Sequence, residues 1–126
     1  MYADVAAEIE ALLGTDTSIR QVLDREPKAI AVYPVAYHLY VGMQRAYAGN
    51  SVQVTYQTRV RILIPTEDAS VAALVTGYVN SIPALLDSED RSVSSGAAGF
   101  FDVADRQCRA LDFTIETRES LTLGEG

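Results

Sequence analysis

The sequence predicts an α+β domain with a mainly antiparallel sheet of about four or five strands and two main helices packed on one face. Three observations lead there. Apolar residues recur at helical spacing over 2–13 and again over 67–86, and they alternate with polar residues over 52–64 and 110–117. The order helix, strands, helix, strands keeps strands next to one another along the chain, which favours antiparallel pairing over a βαβ repeat.

The first helix rests on Val5, Ile9, Leu12 and Leu13, with Asp4, Glu8 and Glu10 on other faces and Gly14 just past its end. A short helical turn is predicted over 18–25, since residues 15–18 offer N-caps and Ile19, Val22 and Leu23 would share a face. Strands follow at 29–33, closed by Pro34, and at 36–41, where aromatic and β-branched residues dominate. Gly42 and then Ala48, Gly49, Asn50 and Ser51 mark a turn region, with residues 42–51 expected as a mobile loop.

The clearest strand is 52–64. Val52, Val54, Tyr56, Val60, Ile62 and Ile64 alternate with Gln53, Thr55, Gln57, Arg59 and Arg61, so one face is apolar and the other wet. It is long for a small domain, and its near end with the preceding turn is expected to project as a hairpin arm. Pro65 and Thr66 end it, and Glu67 and Asp68 open a helix with the stripe Val71, Leu74, Val75, Tyr78, Val79, Ile82, Leu85 and Leu86. Pro83 predicts a kink or a restarted last turn. A polar, mobile loop is expected over 87–99, strands over 100–103 and 110–117, and a flexible C-terminal tail over 119–126, leaving 1–118 as one domain.

Composition narrows the function. With 48% apolar and 21% charged residues the chain has the profile of a globular domain. Its net charge of −7 repels phosphate backbones and anionic bilayers, so neither nucleic acid nor membrane is an expected partner. A single cysteine, Cys108, implies no internal disulfide, and the N-terminus has no basic leader followed by an apolar run. The stretch 29–66 holds Arg45, Arg59 and Arg61 and no acid. These arginines either sit on solvated strand faces or form a basic face that meets an acidic face of another subunit.

Residues with catalytic or ligand chemistry do not assemble into a site. His38 is the only histidine, so neither a histidine metal cluster nor a Ser-His-Asp triad follows, and a dyad with Cys108 would need distant elements to meet. Asp87, Glu89 and Asp90 lack the glycine and terminal Glu of an EF-hand loop. Asp102 and Asp105 fit a turn as well as a carboxylate pair, and Gly96 and Gly99 lack the lysine of a phosphate loop. No catalytic, cofactor or metal residue is expected. Tyrosine is the enriched type, with Tyr33, Tyr37, Tyr40, Tyr47 and Tyr56 in the strand region, where β-propensity and half-exposed interfaces both favour it. The candidate subunit or partner interface is therefore Arg45 and Tyr47 in the turn region with Gln53, Gln57, Arg59 and Arg61 on the wet strand face.

The layout resembles the tail terminator, or tail completion, proteins of long-tailed bacteriophages and related head-to-tail joining proteins. The residues that carry it are the opening helix from Val5 to Leu13, the Ala-Ile-Ala-Val-Tyr-Pro segment, and Tyr56-Gln-Thr-Arg-Val-Arg-Ile-Leu-Ile-Pro running into Glu-Asp-Ala. The closing Arg109-Ala-Leu-Asp-Phe-Thr-Ile-Glu-Thr strand completes it. The resemblance implies a non-enzymatic virion protein, made in the host cytoplasm, that forms a ring, commonly a hexamer, on the last ring of tail tube protein. Such a ring ends tube growth and presents a surface to head-completion or neck proteins. Two other readings stand beside it: a neck or head-closure adaptor, and a small α+β enzyme or ligand-binding module using His38, Cys108 or the Asp102 and Asp105 pair.

Overall fold

The computed structural model describes residues 2–64 and 71–122; for Val71, Ser95, Gly96, Ala97 and Thr122 only the backbone is described. The elements run α1 (Tyr2–Leu13), β1 (Gln21–Leu23), β2 (Val35–Ala48), β3 (Ser51–Ile64), α2 (Val71–Leu86), β4 (Arg91–Val103) and β5 (Arg106–Thr122). The strands form one five-stranded sheet in the order β1-β2-β3-β5-β4. The short β1 pairs parallel to β2, and every other pairing is antiparallel.

The expected α+β class is the class observed, and the sheet dominates it. Alternation along β3 divides its residues between two cores. Val52, Val54, Tyr56, Val60, Ile62 and Ile64 join Val5, Ile9 and Leu13 of α1, Tyr78, Ile82 and Leu86 of α2, and Leu111, Phe113 and Ile115 of β5. Leu63 points the other way, into a smaller core with Val35, Tyr37, Val103, Cys108 and Ala110, against which Ile30, Tyr33 and Phe101 pack. The face away from the helices is thus partly covered.

Several predicted elements fall differently. No helical turn forms over 18–25. Asp16 accepts a hydrogen bond from the Ser18 amide at 2.9 Å, as an N-cap would, but the Arg20 amide then donates to the Pro34 carbonyl and the chain enters β1. The strand puts Val22 in the larger core and Leu23 in the smaller one. The strand predicted over 29–33 is a series of bends, from which Ile30 and Tyr33 lean on the smaller core.

Residues 42–48 are strand rather than loop, because each has a cross-strand partner in β3. The loop predicted over 87–99 is strand from Arg91 onward. Its serines and glycines sit on an edge strand paired along one side with β5, and the Asp87 carboxylate holds the Val93 amide at 3.0 Å. β5 likewise runs past residue 119 to Thr122, with 119–122 paired to β3, so these residues of the expected tail are strand. Residues 123–126, and the predicted helix start at Glu67 and Asp68, lie outside the described residues. Pro83 lies inside α2.

Candidate assembly surface

The β2–β3 hairpin turns through Gly49 and Asn50, with Gly49 at φ 60° and Ser51 Oγ donating to the Ala48 carbonyl at 2.8 Å. That positive φ is why glycine stands there. The register shifts between Tyr40 and Gly42, making Val41 a bulge. Before it Ala36, His38 and Tyr40 face the helices; after it Met43, Arg45 and Tyr47 do, opposite Tyr56, Val54 and Val52.

The N-terminal turn of α1 lies at the root of this region. Tyr2 meets Tyr40 edge-on with ring centroids 4.6 Å apart, sits 5.8 Å from Tyr56, and its hydroxyl accepts from Thr58 Oγ1 at 3.2 Å. From Tyr40 to Ala48, β2 is exposed apart from half-buried Gly42. β4 pairing begins only at Arg91 opposite Thr117, so β2, β3 and β5 continue together as a three-stranded arm. Tyr40, Met43 and Tyr47 on the arm are 55%, 42% and 66% exposed.

The six residues singled out from the sequence do not form one patch. Arg45 and Tyr47 lie on the helix-side face of the arm. Gln53, Gln57, Arg59 and Arg61 lie on the opposite face, across from Ser120, Glu116, Thr114 and Asp112 of β5. Gln57 donates to Glu116 at 3.2 Å. Arg59 is 4.0 Å from Asp112 and is half-buried.

Arg61 is not a surface residue. Its guanidinium forms two hydrogen bonds to Asp112, at 2.7 and 3.0 Å, donates to the Tyr37 hydroxyl at 3.3 Å, and stacks 3.8 Å from the Phe101 ring centre. It is 9% exposed. The hydrogen bonds to Asp112 hold its ionisation even further above the usual arginine range. The wet face expected here is a bidentate charge pair roofed by aromatic rings.

No protein-family model matches this chain, and no curated protein matches its sequence.

The other chemistry-bearing residues have local structural roles. His38, on the helix-side face, is 2.6 Å from Glu10 and ties α1 to β2. Cys108 is buried in the opposite core, so the sheet itself separates the two members of the supposed dyad. Asp102 and Asp105 border an open cavity of about 500 Å³ with Glu26 and Lys28. Among the described residues, no group of three or more His, Cys, Asp or Glu is placed to hold a metal ion.

Burial raises the Tyr37 phenol above its usual 10.0 against the opposing pull of Arg61, and it raises Tyr78 against its hydrogen bond with Ser18. Both phenols ionise more readily in the unfolded chain. The stability they contribute is therefore present below about pH 10 and lost as pH rises through the folded-state values. Thermal melts between about pH 8 and about pH 11 should show the midpoint falling above about pH 10. A midpoint that stayed level would mean that neither phenol is protected.

Proposed function

We propose that this chain is a ring-forming tail terminator of a long-tailed bacteriophage, capping the tail tube and offering a docking surface to the head or neck. The resemblance in sequence layout supplies the class. The observation that gives it a physical basis is the three-stranded arm, whose outer strand leaves Tyr40, Met43 and Tyr47 largely exposed while carrying one charge, Arg45. Aromatic residues, methionine and arginine with few acids are the composition of a protein interface rather than of a solvated strand.

Electron microscopy of the purified chain, alone and with tail tube protein, is expected to show closed rings seated on tube ends. A chain that stays monomeric and leaves tubes uncapped overturns the reading, and binding to the portal side instead assigns it to the neck. Tyr47→Ala is expected to weaken self-association about tenfold while changing unfolding free energy by no more than about 0.5 kcal/mol, since the ring has little core to lose. Sizing and a chemical melt of the same sample separate the two effects; equal losses would place Tyr47 in the fold.

A further inference from the structure

Beneath the first turns of α1, where β4 begins beside β5, lies an open cleft of about 210 Å³ whose lining includes Asp4, Val5, Asp90, Thr117 and Glu119. Thr117 is 8% exposed, and its hydroxyl has no hydrogen-bond partner among the described residues. It stands opposite Tyr56 of β3, which packs in the larger core, so Thr117 also turns to the helix side of the sheet and into the cleft under α1. An enclosed hydroxyl left unpaired costs free energy, and this one points to a ligand.

The surrounding charges decide the sign of that ligand. Arg91 is 6% exposed and already engaged: its guanidinium binds Glu8 at 3.0 Å and donates to the Leu86 carbonyl. Arg118, next along β5, reaches Ser92 Oγ at 3.4 Å and the Glu89 carbonyl at 3.5 Å. The Asp4, Asp90 and Glu119 carboxylates complete the lining, and Glu119 accepts from the Tyr56 phenol. Acid exceeds base, so an anion entering the cleft would meet like charge. Among the described residues no three carboxylates are placed to hold a metal ion. The space is that of about seven water molecules, which suits a short chain rather than a drug-sized molecule.

We propose that the cleft binds a primary alkylammonium group, with the Thr117 hydroxyl and the Asp4, Asp90 and Glu119 carboxylates as its acceptors. An ammonium has three donors and no acceptor, so it can satisfy a site that offers only oxygen. Its apolar stem lies against Val5, which forms part of the same lining. A free short diamine and a lysine side chain present the same group. The site lies within one copy of the chain and does not depend on the tail-terminator reading.

Titration of the full chain with diaminobutane, followed by amide NMR shifts, is expected to give a Kd of about 1 mM or tighter, with the shifts centred on Thr117. Added sodium chloride should weaken it, and butanediol, the uncharged analogue, should not bind. Thr117→Val keeps the shape of the side chain. It is expected to weaken binding about tenfold while melting no lower than the unsubstituted chain, because the hydroxyl it removes is unpaired. Asp90→Asn, at an exposed position, is expected to weaken binding about threefold and leave the melting midpoint in place. Acetyl-lysine methylamide binding as tightly as diaminobutane assigns the cleft to a lysine of a partner; binding of diaminobutane alone assigns it to a free diamine. The proposal is overturned if neither amine binds, if butanediol or inorganic phosphate binds equally well, or if Thr117→Val binds unchanged. A Thr117→Val chain that melts well below its parent also overturns it, since the hydroxyl would then be bonded within the fold.

Discussion

Replacing Asp112 with alanine is expected to lower the unfolding free energy by about 3 kcal/mol, because it leaves the Arg61 guanidinium charged and buried without its carboxylate. The geometry sets the size of the effect. Arg61 donates twice to Asp112, and both side chains are mostly enclosed, at 11% and 14% exposure. That residual access to water keeps the loss at the lower end of what a broken interior pair costs. Arg59 also loses a neighbour, but it is 43% exposed and contributes little. Removing the pair together should be milder: Arg61→Met with Asp112→Leu is expected to recover most of the loss, since neither charge remains to be solvated. Urea unfolding of the three chains measures both effects. A single variant within about 1 kcal/mol of the parent would show that water or another group replaces the carboxylate.

Phe113→Ala is expected to cost more, about 4 kcal/mol. Phe113 is 1% exposed and lies near the middle of β5, opposite Val60 of β3 and Ser95 of β4. Truncation removes a ring from the larger core and leaves a cavity that three paired strands are poorly able to close. Phe113→Leu keeps most of the volume and should cost about 1 kcal/mol. Denaturant midpoints give the comparison. Similar losses for both would mean that the edge and face of the aromatic ring, rather than its bulk, hold the site together.

The parts of the fold legible from the sequence are those whose residues settle their own pattern. Val5, Ile9 and Leu13 define α1 by spacing alone, and β3 alternates over most of its length because one of its faces is apolar except at Thr58. Distal β2 has glycine and alanine at Gly42, Ala46 and Ala48, and much of β4 is serine, glycine and alanine, which have little strand preference; their structure comes from partners in β3 and β5. Arg61 shows the same limit at one residue. Alternation correctly puts it opposite the helices, yet its burial depends on Tyr37, Phe101 and Asp112, which no local window contains. The bulge at Val41 is equally silent in sequence, and it decides that Arg45 and Tyr47 face one way while Gln53 and Gln57 face the other.

The central position of β3 bears on how the chain folds. Its first partner, β2, follows from a tight hairpin, but its second partner is β5, with Ser51 opposite Thr122 and Ile64 opposite Arg109. That seam closes only after α2 and β4 have been spanned, a loop whose entropy is lost before the contacts form. Folding should accordingly fall in the slower range of non-local topologies, from milliseconds to seconds. Until β5 arrives, the strand with the most buried residues has one side of its backbone open, and at high concentrations of newly made chain that is where misassembly would begin.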